Sequence, residues 1–171
     1  MPITLNGSSG IIGAINSGTA VASTSGTSID FTSIPAGVKR ITVMFNGVST
    51  NGSSPPQIQI GSGSVTTSGY LGSNTYNGGT VFGAANFTTG FGLGLSTSFW
   101  GASALVNGAV VLTLQTGNTW VATGSLARTD SAGNYVTNGL VALGGVLDRV
   151  RITTPSGTET FDAGSINILY E

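Results

Sequence analysis

Ile41, Val43 and Phe45 fall on one side of a strand-period pattern, with Arg40, Thr42 and Asn46 on the other. Side chains that alternate with a period of two mark a half-buried strand, and no stretch of this chain shows a convincing helical period. The same alternation returns at Ile29/Phe31, Ile58/Ile60, Val110/Leu112/Leu114, Trp120/Ala122 and Ile166/Ile168/Tyr170. In the Ile58/Ile60 segment, Gln57 and Gln59 take the alternate, polar positions. Turn signals punctuate these runs: Ile34-Pro35-Ala36-Gly37, Asn51-Gly52, Pro55-Pro56, Gly117-Asn118 and Pro155-Ser156-Gly157. The pattern predicts roughly eight or nine strands in an all-β, jelly-roll-like, two-sheet antiparallel β-sandwich.

Glycine is abundant, 28 of 171 residues, but follows no fixed period, which argues against collagen and solenoid folds. A mean hydropathy of +0.30 argues against disorder. Two regions depart from regular alternation. Residues 1–26 carry no charge and only small apolar clusters, Ile3/Leu5 and Ile11/Ile12. They are expected to form an extended N-terminal arm that attaches to a particle, with residues 27–171 as the sandwich head. Residues 61–98 are rich in Gly, Ser and aromatics and are expected to be long loops with one or two irregular strands.

Composition removes most chemistry. There is no cysteine, hence no disulfide, thiolate metal site or cysteine nucleophile, and no histidine to serve as a base or metal ligand. Charged residues are 6% of the chain, against about 25% in an ordinary domain. With a net charge of −1 there is no basic footprint for nucleic acid or anionic lipid. The longest apolar run, Gly139 to Leu147, is far shorter than the roughly 20 residues that span a bilayer. No targeting segment is visible, since Met1-Pro2-Ile3-Thr4 carries no basic region and no apolar stretch follows. The sequons at Asn6, Asn51 and Asn86 are read as by-products of an Asn/Ser/Thr-rich composition. So sparse a charge suits a homo-oligomer or a larger assembly, because charges are depleted from interface cores.

Six carboxylates remain: Asp30, Asp130, Asp148, Glu159, Asp162 and Glu171. A glycosidase needs two of them facing a sugar, and the nearness of Glu159 to Asp162 is explained equally well by a turn. Asp130-Ser131-Ala132-Gly133-Asn134 lacks the alternating acids and terminal glutamate of a calcium loop. Gly-x-Ser-x-Gly is absent, Gly90-Phe91-Gly92-Leu93-Gly94 has no dinucleotide-binding context, and Lys39 follows no phosphate loop. No catalytic, cofactor or metal residue is assigned, and an enzyme is not expected.

In Asp148-Arg149-Val150-Arg151 the alternation puts Asp148 with Val146, Val150 and Ile152, opposite Leu147 and the two arginines. A partly buried Asp148 would need a partner, Arg40 or Lys39 from a neighbouring strand being the expected ones. Among the aromatics of the glycine-rich middle, Tyr70, Tyr76, Phe91 and Trp100 are candidates for sugar stacking or for an oligomer interface, with core packing as the alternative.

Three segments resemble a known module. "SIDFTSIPAGVKRITVMFNGVSTNGSSPPQIQIG", "TWVATGSLARTD" and "GGVLDRVRITTPSGTETFDAGSINILYE" are similar, in order, to a module of tailed-bacteriophage structural proteins. That module has an "IDFTGIP-G-KRI" opening, a "GVSTNG" turn, a "GxLDRxRxT" strand and a terminal "FDAGxINIxY". The start, "ITLNGSSGI", resembles the "LNGTTGI" leader of many tail-fibre and appendage proteins. The resemblance covers residues 1–12, 27–60 and 119–171, and the central loops match nothing in it. It implies a non-enzymatic virion part, often a homotrimer, with other virion proteins as partners and a host cell-surface glycan as a candidate receptor. A tail fibre or receptor-binding tip is the leading expectation. Capsid decoration is the runner-up, since no shaft of coiled coil or β-helix repeats separates leader from head. A carbohydrate-binding module and a glycan hydrolase are the remaining classes.

Overall fold

The computed structural model describes residues 15–95 and 99–171; Ile3, Leu5, Ile11 and Ile12 lie outside the described residues. In chain order the strands begin with β1 (Asn16–Ser17), β2 (Val21–Ala22), β3 (Ser28–Phe31) and β4 (Arg40–Thr50). β5 (Gln57–Ser62) and β6 (Ser64–Val65) precede a hairpin of β7 (Leu71–Gly78) and β8 (Val81–Phe87), then β9 (Phe91–Gly92). β10 (Val106–Thr116), β11 (Thr119–Arg128) and β12 (Asn134–Ala142) form a meander, and β13 (Arg149–Thr153) and β14 (Phe161–Tyr170) close the chain. Among the described residues there is no helix.

The strands make two antiparallel sheets, as the alternation predicts. A nine-stranded sheet has the order β1-β14-β4-β10-β11-β12-β7-β8, with β2 also on β14, and a five-stranded sheet has the order β3-β13-β5-β6, with β9 on β5. Ile41, Val43 and Phe45 of β4, Val110 and Leu112 of β10, and Ile166 and Ile168 of β14 are buried. They share one core with Ile29, Phe31, Ile58, Ile60, Val150 and Ile152 of the smaller sheet. Each is the apolar member of a strand-period pair, so burial follows from the pleat.

Two expectations need correction. Residues 61–98 are more regular than their composition implies: β7 and β8 pair from Gly72↔Phe87 to Gly78↔Val81 around a tight Gly79-Thr80 turn. Their exposed positions mix Leu71, Val81 and Phe82 with Ser, Thr, Asn and Ala, so apolar and polar residues do not alternate cleanly between the two faces. At the other strand, Leu147 is 3% exposed and Val146 58%, the reverse of the expected facing. β13 starts only at Arg149, so the two-residue period does not extend back through the irregular 143–148 segment.

Residues 15–26 do not stand apart from the head. Asn16 and Ser17 pair with Tyr170 and Leu169, and Val21 and Ala22 with Ile166 and Ser165, so this stretch covers the edge of β14. Covering an edge strand removes a template for uncontrolled pairing.

Candidate functional site

Nearly all of the charge is used in local joints. Arg151 Nε and Nη2 donate to Asp30 at 2.7 and 2.9 Å, joining β13 to β3. Arg40 pairs with Glu171, joining the start of β4 to the chain end. Arg149 Nε donates to Asp148 at 2.7 Å, and the Gly63 N–H donates to the same carboxylate at 3.0 Å. The partner of Asp148 is therefore its sequence neighbour, not Arg40 or Lys39, because the irregular backbone before β13 turns the two side chains together. Glu159 accepts the N–H groups of Ser53 and Ser54 at 3.0 and 2.9 Å, capping the turn after β4. Asp162 is exposed.

Asp130 is bound by Arg128 Nε at 3.0 Å and by the Leu105 N–H at 3.1 Å. Arg128 also donates to the Phe99 carbonyl at 2.9 Å, so this pair ties the 99–105 segment to β11. The hydrogen bond from Arg128 is the main reason that the Asp130 carboxyl lies below the usual carboxylate range; burial opposes it, and the Leu105 N–H assists. A carboxyl depressed in the folded state stabilises the fold above its unfolded pKa of about 3.9, and that contribution is lost as pH falls through the folded value. Urea melts should therefore show stability dropping below about pH 4. Asp130→Asn should be less stable at neutral pH and show a shallower acid decline. Equal pH slopes in both proteins would assign the decline to other groups.

The four candidate aromatics are all buried, so none offers a surface for stacking on sugar. They form two core groups. Tyr70 meets Phe91 edge to face at 4.9 Å between centroids, and Phe91 meets Phe87 at 5.9 Å. The Tyr70 hydroxyl accepts from the Ile60 N–H at 2.9 Å and donates to the Thr66 carbonyl at 3.0 Å. Burial pushes its pKa up to about 12, keeping it a neutral bracket for β5. Tyr76 packs on Phe99 and on Tyr135, each at 5.1 Å. Trp100 lies 5.8 Å from Tyr135 and donates to Thr50 Oγ1 at 3.2 Å. Aromatics need apolar contact on both faces more than they need exposure, and the small residues around them let the backbone close over the rings.

The feature that composition did not mark is an open groove of about 310 Å³ beside the start of β5. Pro55, Pro56 and Gln57 form one part of its lining, Asn74 of β7 with Ala85, Asn86 and Phe87 of β8 another, and the Thr88–Thr89 turn a third. None of the lining residues is charged. Gln57 is only 2% exposed. Thr89 Oγ1 donates to Gln57 Oε1 at 2.9 Å, while Gln59 Nε2 donates to the Thr89 carbonyl at 2.8 Å. Gly90 lies so close that a Cβ there would sit 2.8 Å from Gln57 Cδ. The loop thus closes over the two glutamines, which alternation alone would leave facing water. Asn74 Nδ2 donates to the Gly94 carbonyl. Gln57 Nε2 is buried without a hydrogen-bond partner.

The polar groups on its walls are the hydroxyls of Ser54, Thr88 and Thr89 and the amides of Gln57, Asn74 and Asn86. Among the described residues no group of three or more acidic side chains is placed to hold a metal ion. The one readable signal for this site was the pair of amides Gln57 and Gln59 between aliphatic neighbours, next to Pro55-Pro56. No protein-family model, curated protein or solved structure matches the chain.

Proposed function

We propose that this chain is a non-enzymatic virion structural protein of the tailed-bacteriophage kind. Its N-terminal residues dock on the particle, and the sandwich projects as a tail-fibre or receptor-binding appendage. The observation that carries this reading is where the resembling motifs lie in the fold. The "SIDF" and "RVRIT" segments are β3 and β13, hydrogen-bonded neighbours whose Asp30 and Arg151 pair. "KRITVMF" runs into β4 and "FDAGSINILY" is β14, also neighbours, with Arg40 meeting Glu171. The motif residues thus specify one another, as expected of a scaffold signature and not of a catalytic one.

Strand order supports a jelly-roll reading. With β7–β9 and β11–β12 set aside as insertions, one sheet runs β2-β14-β4-β10 and the other β3-β13-β5-β6. The chain then changes sheet at most steps, as in the eight-stranded double Greek key common in viral coat domains.

Self-association is supported by the outward face of the larger sheet. Val121, Leu140 and Leu71 are cross-strand neighbours in one row, 38%, 39% and 64% exposed. The outward positions around them on β11, β12 and β7 are Thr, Ser, Asn, Ala and Val, without charge. Light scattering on the purified chain should give three times its 17.0 kDa mass. A clean monomer at micromolar concentration would sink the trimer. Removing residues 1–14 should leave a soluble head that no longer co-sediments with particles. Retention at full occupancy would place attachment elsewhere, and labelling found on the head instead of the tail would make the protein a capsid decoration.

A further inference from the structure

We propose that Asn51-Gly52 is a self-modification site, at which the folded chain converts Asn51 to aspartate and isoaspartate through a cyclic imide. The inference rests on local geometry and holds whether or not the chain belongs to a virion.

Asn-Gly dipeptides begin at residues 6, 46, 51, 77, 107 and 138, and Asn6-Gly7 lies outside the described residues. Cyclisation needs a glycine nitrogen free to attack, an asparagine side chain free to swing onto it, and solvent to take the ammonia. Four of the five described sites fail these conditions. The Gly47 N–H donates to Asn107 Oδ1 at 2.7 Å, which ties up the nucleophile of one site and the amide of another. Asn107 Nδ2 also donates to Thr129 Oγ1 at 3.2 Å. Asn138-Gly139 is paired in β12 with strands on both sides, and Asn77-Gly78 in β7 is paired with β8 up to the hairpin turn. An extended, paired strand holds its side chains out of the sheet, away from the next nitrogen.

Asn51 differs on each count. It is exposed, and β4 has ended at Thr50. The Asn51 N–H donates to the Thr160 carbonyl at 2.9 Å, but the Gly52 N–H and Asn51 Nδ2 donate to no described residue. The Thr160 N–H donates to Asn51 Oδ1 at 3.0 Å, so a donor already faces the oxygen on which negative charge builds during attack. Packing requires the glycine: a Cβ at Gly52 would lie 2.3 Å from Glu159 Cδ and Oε1. The fold thus demands here the residue that leaves the attacking nitrogen least shielded.

In the first step Gly52 N bonds to Asn51 Cγ, the Cγ–Nδ2 bond breaks, and the nitrogen leaves as ammonia with the Gly52 proton. Water then opens the imide at either carbonyl. One opening gives aspartate, the other isoaspartate, with the main chain routed through the side chain. Each product adds a carboxylate to the turn in which the Ser53 and Ser54 N–H groups hold Glu159. Like charges at close range repel, so the joint between the end of β4 and the start of β14 weakens as the molecule ages.

The test incubates the full chain in mildly alkaline buffer and follows it by peptide mapping and mass spectrometry. The peptide with Asn51 should gain the mass of NH replaced by O at least about tenfold faster than those with Asn46, Asn77, Asn107 or Asn138, which must first break strand or side-chain hydrogen bonds. Its rate should rise with pH, because hydroxide removes the Gly52 proton. In guanidinium chloride the five rates should converge, since the fold makes the selection. The modified protein, separated by its added charge, should melt below the parent. The proposal is overturned if Asn51 in the folded chain reacts no faster than the other four, or leads them only after unfolding. Equal melting of the two forms would overturn the weakening of the joint.

Discussion

Gly164→Ala should destabilise the protein by about 2–6 kcal/mol, combining backbone strain with a clash that cannot relax. Gly164 has φ +88° and lies where the β14–β4 register shifts between Ala163 and Ser165. A Cβ there would run into the carbonyl oxygens of Asn46 and Gly47, which belong to β4 itself. The joint is also shared. The Gly164 carbonyl accepts the Ser23 N–H at 2.9 Å, and Asn107 Oδ1 accepts the Gly47 N–H at 2.7 Å. Gly63 provides the control, with φ +70° and no atom within 4 Å of an added Cβ. Gly63→Ala should show only the conformational penalty, about 1–2 kcal/mol. The difference between the two variants measures the close approach. Equal losses in urea melts would show that the contact with β4 contributes nothing.

Ile166→Ala should cost about 2–5 kcal/mol, a large part of a typical stability of about 5–15 kcal/mol. Ile166 stands opposite Phe45 on β4 and Val21 on β2, and is 1% exposed. Strands hydrogen-bonded on both sides cannot shift inward to fill the space a smaller side chain leaves. The residual cavity should therefore be near the upper end for an aliphatic truncation. For a chain of this size the melting temperature should fall by about 4–20 °C. Gln115→Ala, at an exposed position, should stay within about 0.5 kcal/mol of the parent. A near-neutral Ile166→Ala would mean that β14 closes the core only loosely.

What residues 27–60 and 106–170 would become was largely readable from the chain itself. Aliphatics every second position and strong turn residues commit a segment to a half-buried strand, because the pleat sends alternate side chains to opposite faces. The fates of Ile41/Val43/Phe45, Val110/Leu112 and Ile166/Ile168 are therefore local consequences of sequence. The lack of histidine and cysteine was equally local, and it removed whole classes of chemistry before any fold was considered.

Only the tertiary structure decided the rest, and in each case a partner distant in sequence supplied the reason. Tyr70 and Phe91 are core because the chain brings them together beside β5; as a composition, "aromatic and glycine-rich" fits a surface loop as well. Asp148 takes Arg149 and the Gly63 N–H because β13 begins one residue after it. Gln57 and Gln59 have the period of solvent-facing residues, yet both are buried, since the Thr88–Gly90 loop folds across them from about thirty residues away. Alternation reports which side of a strand a residue occupies. Whether that side meets water depends on what the rest of the chain lays over it, and at Gln57 and Gln59 the Thr88–Gly90 loop is part of that cover.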